Sequence, residues 1–308
     1  MLMRYAEVLP DGTFKEASAQ AKQLGYGSML LTRVSIAVSG GIRLAEATTI
    51  ATRYSLVRRQ FSPDGGKEEM KIMDYQQQAV RILPTYGAIY SILLGTFELR
   101  ELYADVQARI GKGEVPSDEL KQIHVLSSGL KAINTWRVAR WIDVLKAACG
   151  GNGYLLISGL AYDHKMQDAN VTLEGDNTVM MQQVARFVVN QWALARSGKQ
   201  TMRSARFFEE KSIAAVSHWK GFESIVPALK ARAYNKISET CRALFSRPDR
   251  EEAWNGELQS ELVESAVYFC EAFQFEAAAK HLEAQKISEE SKTLLRALIE
   301  TFALYFIL

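Results

Sequence analysis

The sequence contains few of the residues that build disulfide frameworks or metal sites. Its 308 residues include three cysteines (Cys149, Cys241 and Cys270) and four histidines that stand singly along the chain. An odd number of widely spaced cysteines argues against a disulfide framework or a zinc site, and it favours a reducing compartment. The scattered histidines predict no metal cluster.

A surplus of one charge is also missing. The 37 basic and 35 acidic residues leave a formal net charge of +2, and no block of like charge stands out. A nucleic-acid-binding surface is therefore not predicted. Hydrophobic residues make up 48% of the chain, which is enough for a sizeable core in one large domain or two smaller ones.

Neither end of the sequence has the apolar run of a signal peptide or a membrane span. The opening residues, MLMRYAEVLPDGTF, lack a long apolar stretch behind a basic start. The closing residues, LLRALIETFALYFIL, are short for a span and are interrupted by Arg296 and Glu300. A buried helix is predicted there, and its lack of a capping residue predicts that the chain is cut at this end.

The periodicity of the chain predicts a mainly α fold. Apolar and small residues recur at a spacing of three to four in four segments, at about 27–60, 82–97, 117–148 and 172–196. Four such helices predict an up-down bundle, and a second helical domain is predicted after a break at 197–200. Gly40 and Gly41 would let a neighbouring helix approach closely.

Two connecting segments complete the predicted fold. Pro10-Asp11-Gly12 lies between short alternating runs and predicts a β hairpin before the first helix. A long glycine-containing loop is predicted from Gly150 to about Val171.

Two motifs are unusual for a plain helical bundle. The first, Gly150-Gly151-Asn152-Gly153-Tyr154, could bring backbone N–H groups close to a ligand, but a helix C-cap and turn is the commoner origin of such glycines. The second places Glu174 between Leu173 and Gly175 at the start of a helix, where the helix dipole favours an anion. From spacing alone, a charge at the N-terminal end of a helix is the favoured explanation of Glu174.

These motifs together resemble the acyl-CoA oxidases, within the acyl-CoA dehydrogenase superfamily. GGNGY followed by EGDNTVMMQQVARF resembles the end of their catalytic domain. The segment ATRYSLVRRQF resembles their flavin-contacting segment, Asp74-Tyr75-Gln76 resembles the glutamine-bearing stretch after it, and SGLKAINTW fits the oxidase branch. The resemblance carries specific motifs from residue 1 to about 199 and continues more weakly to residue 308. It implies a remnant of the family's middle β domain at 1–26, a four-helix-bundle catalytic and FAD domain at 27–200, and a second C-terminal helical domain at 201–308.

The resemblance implies a reaction and its participants. Glu174 would remove a proton from the carbon next to the thioester of an acyl-CoA, and a hydride would pass to FAD, giving a trans-2-enoyl-CoA. In the oxidase branch O2 then takes the electrons and yields H2O2, as the first step of peroxisomal fatty-acid β-oxidation. The implied partners are acyl-CoA, O2 and a second copy of the chain, with no nucleic acid and no membrane span. The alternatives are an acyl-CoA dehydrogenase, or an inactive helical fragment that only dimerises.

The resemblance also assigns contacts to individual residues. Its FAD-contacting residues are Arg58, Phe61, Gln76, Gly150, Gly151, Asp176 and Thr178, and its substrate-side residues are Gly175 and Arg33. Arg58 would reach the cofactor pyrophosphate across a dimer interface, and the two glycines would line the adenosine of the partner's cofactor. Each residue also has a structural explanation: Arg58 as a solvated helix-end cation, Phe61 as core, Gln76 as a surface residue and Arg33 as a helix-surface charge.

The sequence also departs from the family pattern. Asn152 stands where the oxidases usually have histidine, Ser62 stands where a glycine usually follows the phenylalanine, and 161–170 is unlike the usual oxidase loop. The family extends before Met1 and beyond Leu308, so the chain is predicted to be a fragment, a truncated gene model or a degenerate homologue. Its localisation in peroxisomes is implied by the resemblance alone, because the last residues are not the peroxisomal tripeptide.

Overall fold

The chain is mainly α-helical, as predicted. A computed structural model describes residues 6–15, 19–62, 65–114 and 116–307. The first part of the chain forms the helices α1 (Ala19–Val57), α2 (Gln76–Gly95), α3 (Phe97–Gly111), α4 (Ser117–Ala148), α5 (Leu160–Ala169) and α6 (Asn177–Arg196). The second part forms α7 (Ile225–Ser246), the short α8 (Arg250–Glu252), α9 (Gln259–Glu283) and α10 (Glu289–Phe306).

The predicted hairpin is confirmed near the N-terminus. Strands β1 (Glu7–Val8) and β2 (Phe14–Lys15) pair antiparallel across a turn that Gly12 enters with a φ of 84°. Residues 1–5 and 16–18 of the predicted β remnant lie outside the described residues. Helix α1 begins at Ala19, earlier than the predicted start near residue 27.

Four helices form the predicted up-down bundle. Gly40 of α1 lies against Val138 of α4, and Tyr54 further along α1 meets Asn152 just beyond α4, so α1 and α4 run in the same direction. Helices α2 and α6 run the opposite way. Gly41 does allow close approach, since a Cβ there would meet the Leu93 side chain of α2 at 2.8 Å.

The later helices pack directly on the bundle. Helix α9 contacts α2, α4 and α6, and α10 lies along α2. Buried side chains from both halves join in one apolar cluster, which includes Leu130, Val188, Phe269 and Phe302. The helices after residue 200 and the bundle therefore share a single core.

The segment between α4 and α6 differs from the prediction of a loop. Residues Gly150–Tyr154 and Leu156–Ser158 form 3₁₀ turns, and Leu160–Ala169 forms α5. Helix α5 buries Leu160, Asp163 and Gln167, of which two are polar. Because its inward face carries polar side chains, it has no apolar stripe for periodicity to detect.

One helical stretch is long and apolar enough to cross a membrane by length and composition. It covers 76–111, which is α2 and α3 together, and 67% of its most apolar window is buried inside the protein. Pro84 is itself buried within α2. Burial of this degree is what a core helix requires.

The contact between α2 and α10 leaves no room for a side chain at Gly87. A Cβ built there would lie well inside contact distance of the Leu298 carbonyl and 2.8 Å from Cβ of Phe302. We expect Gly87→Ala to lower the free energy of unfolding by about 1–3 kcal/mol, as overpacking does, measured by urea denaturation.

Gly111→Ala is the matched control for this substitution. A Cβ at Gly111, the last residue of α3, meets nothing within 4 Å. Alanine in place of a helical glycine should be neutral or stabilising by up to about 1 kcal/mol. Equal effects of the two substitutions would contradict close packing of α10 on α2.

Candidate functional site

Glu174 lies in a tight turn that leads from α5 into α6. Its φ is 59°, in the left-handed region that non-glycine residues rarely adopt, and Gly175 follows with a φ of 115°. A Cβ at Gly175 would come within 2.6 Å of the Met180 side chain. The turn is therefore closely packed on the first turn of α6. The Glu174 side chain is partly exposed, and Leu173 beside it is 53% exposed.

Lys131 of α4 holds the turn from inside the protein. It is fully buried, and its Nζ donates to the carbonyl oxygens of Val171 (3.1 Å) and Gly175 (2.7 Å) and to Oδ1 of Asn177 (2.8 Å). Burial lowers the pKa of Lys131 to about 8, against the opposing attraction of Asp176. The cation thus binds the chain both before and after Glu174.

Arg33 of α1 binds the same turn from another side. Only 5% of Arg33 is exposed, and its Nε donates to the Glu174 carbonyl oxygen at 3.0 Å. Its Nη1 lies 3.3 Å from Nδ1 of His124, whose pKa is lowered by burial and by the neighbouring guanidinium. The alternative that Arg33 is a helix-surface charge is wrong, because its guanidinium is enclosed by the bundle.

Asp176 and Thr178, which are predicted to contact FAD, lie at the N-terminal cap of α6. Asp176 is the N-cap of α6, and its Oδ1 accepts from the backbone N–H groups of Thr178 (2.9 Å) and Val179 (3.3 Å). Both Asp176 and Thr178 are exposed. Asn177 is buried and donates to Thr135 Oγ1 at 2.8 Å, which ties the cap to α4.

A second group of predicted residues lies beyond the C-terminal end of α1. Arg58 is exposed directly after α1, and Phe61 has a φ of 59° with 69% of its surface exposed. The Tyr75 hydroxyl donates to the Gln60 carbonyl at 3.0 Å and so closes this segment. The alternative that Phe61 is a core residue is wrong, whereas Arg58 does have the exposed position of a helix-end cation.

The glycine turn lies at the same end of the bundle. Asn152 Nδ2 donates to the Tyr54 hydroxyl at 3.0 Å, which joins the turn to α1. Gly150 has a φ of 59°, and a Cβ on Gly150 or Gly151 meets nothing within 4 Å. The backbone of these two residues is therefore open on the outside, although Gly150 also has the left-handed conformation typical of a helix end.

Gln76 is exposed at the start of α2, while a neighbouring glutamine is buried. Gln78 Nε2 donates to Ser55 Oγ at 2.9 Å and to the Ala148 carbonyl at 2.8 Å. Gln78 thus joins α2 to the ends of α1 and α4. The position of Gln76 matches the surface-residue alternative and leaves its amide accessible to a ligand.

The predicted residues therefore form two groups that are separated along the bundle. Arg33, which contacts Glu174, lies in the first half of α1, and Arg58 follows the last residue of that helix. At a rise of 1.5 Å per residue, the intervening helix separates the two groups by roughly 35 Å. A single copy of the chain does not bring them together.

A large groove lies beside His124, the residue that contacts Arg33. It has a volume of about 1890 Å³ and runs between α3, α4 and α6, and His124 is one of its lining residues. None of the catalytic, FAD-contacting or substrate-side residues predicted from the sequence lines this groove. His124 therefore connects the groove, through Arg33, to the Glu174 carbonyl.

At the edge of the groove an ion-pair network joins α3 to α9. Glu98, Glu101 and His281 bring possible ligand atoms within 4.8 Å of one another. The two Glu98 oxygens are already occupied, by Arg203 Nη2 at 2.8 Å and by Lys280 Nζ at 2.5 Å. These cations lower the pKa of Glu98 against the opposing effect of burial. The cluster is thus explained by ion pairing between helices.

Sequence reasoning missed two of the residues that build the Glu174 turn. Lys131 lies within the quoted segment SGLKAINTW, between Leu130 and Ala132, where a charged side chain interrupts an apolar stripe. Asn177 lies within EGDNTVMMQQVARF. A lysine among small and apolar residues of a long helix was the available signal, since such a position predicts a buried cation with fixed partners.

Comparisons with known proteins match this chain over most of its length. The family model described as "Acyl-CoA oxidase, C-alpha1 domain" matches residues 26–189, and the model described as "Acyl-CoA oxidase" matches residues 221–308. The peroxisomal acyl-coenzyme A oxidase 1 of Arabidopsis thaliana is 32% identical over 100% of this chain and 47% of its own length. The Homo sapiens protein of the same name is also 32% identical, over 83% of this chain and 40% of its own length.

Solved structures give the same result. Acyl-CoA oxidase 1 of Arabidopsis thaliana superposes with a TM-score of 0.88 at 31% identity, over 99% of this chain and 47% of that one. Acyl-CoA oxidase-2 of Caenorhabditis elegans, solved with FAD, ascaroside-CoA and ATP, gives a TM-score of 0.85 at 28% identity, over 96% of this chain and 45% of that one. The chain spans about half the length of the relatives that it matches.

Proposed function

Because the chain belongs to the acyl-CoA oxidase family, we propose that it carries the catalytic base and part of the FAD site of an enzyme that oxidises acyl-CoA to trans-2-enoyl-CoA. The observation that carries this proposal is the Glu174 turn. It presents a carboxylate in a left-handed conformation that Arg33 and Lys131 hold through backbone contacts. A strained conformation of this kind is characteristic of functional sites.

Glu174 is suited to take a proton from a thioester substrate. Its carboxylate is partly exposed beside the exposed Leu173, so a ligand can reach it and a bound acyl chain would surround it with apolar groups. Such desolvation raises the basicity of a carboxylate. Among the described residues, the Glu174 backbone N–H donates to no protein acceptor and is available to a thioester oxygen on which charge develops.

The residues around the C-terminal end of α1 suit a dinucleotide cofactor. Gly150 and Gly151 have open space where a Cβ would stand, and the exposed Arg58 at that end supplies a cation for a pyrophosphate. When bound, FAD would supply the hydride acceptor. Phe61, Gln76, Asp176 and Thr178 are the further proposed contacts, and Gly175 with Arg33 would support the substrate side.

The separation of the two groups supports a functional dimer. Since roughly 35 Å of helix separates them, a cofactor that touches both groups would lie between two copies of the chain. The loop after the glycine turn exposes Leu155 (52%), Leu156 (81%) and Ile157 (94%). Adjacent exposed apolar side chains are typical of a surface that another chain covers. We therefore propose a homodimer, in peroxisomes like the named relatives.

The proposed function is tested by spectrum and product. We expect the purified protein to bind FAD with visible flavin absorption, to bleach when an acyl-CoA is added without air, and to release H2O2 when O2 is admitted. Light scattering should give the flavin-containing species the mass of a dimer. Flavin that is reduced but releases no peroxide would indicate a dehydrogenase, and protein that binds no flavin would indicate an inactive helical fragment.

A further inference from the structure

Lys131 is an unusual residue for the interior of a bundle. In the described part of the chain it is among the largest side chains that are completely buried, and lysine is rarely enclosed unless its charge is matched by fixed partners. Its three N–H donors are all used, by the Val171 and Gly175 carbonyls and by Oδ1 of Asn177. Three acceptors therefore converge on one ammonium group, as the burial of a charge requires.

The positions of these acceptors relate Lys131 to Glu174. Val171 precedes Glu174 by three residues, and Gly175 and Asn177 follow it, so one cation joins both sides of the turn. A left-handed φ at a residue other than glycine is unfavourable and persists only where surrounding contacts enforce it. The φ of 59° at Glu174 therefore depends on contacts such as these.

We propose that the Lys131 ammonium is a positioning residue for Glu174, holding the 171–177 turn so that the carboxylate and the backbone N–H of Glu174 face the substrate together. This inference rests on the proposed function. It adds that the turn is held only while Lys131 carries its proton. A neutral amine has two N–H donors and a lone pair, so it cannot satisfy three acceptors.

The charges around Lys131 fix the pH at which this should matter. Its pKa is lowered to about 8: burial lowers it most, Asp176 and Glu174 raise it, and Arg33 of α1 lowers it. His124 of α4 touches Arg33 but titrates at lower pH, because its pKa lies below the usual value of 6.5. Loss of the Lys131 proton should therefore reduce turnover as the pH rises through about 8.

The free energy of unfolding should not depend on pH in the same way as turnover. The pKa of Lys131 is lowered from 10.5 to about 8, so between these values the unfolded chain binds the proton and the folded chain does not. Stability contributed by this group therefore rises with pH over that window. Turnover should therefore fall above about pH 8. The midpoint temperature of thermal unfolding should not fall in this range because of Lys131.

The test replaces Lys131 by methionine, which keeps the length and removes the charge. We expect Lys131→Met to lower kcat by about 10²-fold, the cost of slight misplacement, with a KM within a few-fold of the unsubstituted protein and no titration near pH 8. Hydrogen exchange at 171–177, corrected for the intrinsic rise of amide exchange with pH, should become faster in this variant, and in the unsubstituted protein above pH 8. Lys121→Met is the matched control, because Lys121 is an exposed lysine on the same helix; it should change none of these.

A second variant covers the case in which Lys131→Met does not fold. Asn177→Asp adds a negative charge 2.8 Å from Nζ, so the alkaline fall in turnover should move to higher pH, which a purely structural lysine would not cause. An unmoved alkaline limb, or unchanged exchange at 171–177 in Lys131→Met, would overturn the proposal. If the unsubstituted protein shows no acyl-CoA oxidation, the proposed function fails, and the exchange measurements still decide whether Lys131 holds the turn.

Discussion

Glu174→Gln should slow reduction of the bound flavin by acyl-CoA by about 10²–10⁴-fold, the usual contribution of a general base. Glutamine has nearly the same shape as glutamate but cannot take the substrate proton. The turn should survive, since Arg33 and Lys131 bind backbone oxygens of Glu174 and Gly175 and do not need the carboxylate. The measurement is anaerobic stopped-flow absorbance of the flavin, with flavin content determined for each preparation.

Asp168→Asn provides the matched control for this experiment. Asp168 is an exposed carboxylate at the end of α5, six residues before Glu174. The same change from acid to amide there should leave the rate of flavin reduction within about twofold, as expected for an exposed surface site. A Glu174→Gln protein that reduces its flavin as fast as this control would remove Glu174 from the role of base.

Periodicity alone was sufficient to predict the bundle. The apolar residues of α1, α4 and α6 recur at helical spacing over long segments, so they predict helices wherever their neighbours lie. The stripe assigned to 82–97 proved to cover most of α2 and the first residue of α3, because the break at Thr96 leaves the periodicity almost unchanged. Helix α5 was missed because two of its three buried residues are polar.

The site was predictable where it depends on backbone motifs and unpredictable where it depends on burial. The segment around Glu174 and Gly175 marks an unusual helix entry in the sequence, and that entry is a left-handed turn in the structure. Burial of Arg33 could not be predicted, because it looks like one more cation on a helix until its neighbours in space are known. The roles of all the predicted site residues stay predictions.

The separation of the two groups of site residues along the bundle follows from the sequence by simple geometry. A helix predicted over about 27–60 already places Arg33 and Arg58 roughly 37 Å apart, at 1.5 Å per residue. What the sequence could not supply was the side of the bundle on which each group opens. That depends on α1 and α4 running in parallel, which the contact of Asn152 with Tyr54 establishes.

Glu271→Gln should lower the free energy of unfolding by about 3–5 kcal/mol, as the loss of one partner of a buried ion pair does. Only 4% of Glu271 is exposed, and its carboxylate accepts from Arg137 of α4 and Arg232 of α7. The neutral amide would leave two largely enclosed guanidinium groups without their counter-charge. Urea denaturation followed by circular dichroism measures the change.

Glu276→Gln is the matched control, because it removes the charge of an exposed ion-paired glutamate and so shows how much of the Glu271→Gln effect is due to burial. Glu276 lies on the same helix and pairs with Lys230 at 2.6 Å, but 52% of its side chain is exposed, so its loss should cost less than about 1 kcal/mol. Equal costs at the two positions would contradict a buried charge cluster.

Replacing Arg137, Arg232 and Glu271 together by methionine, methionine and leucine should recover most of the stability, because it removes the unpaired charges. Since the cluster joins a bundle helix to two later helices, Glu271→Gln should shift one cooperative transition for the whole chain, and a separate early transition of residues 201–308 would show that the two parts unfold independently.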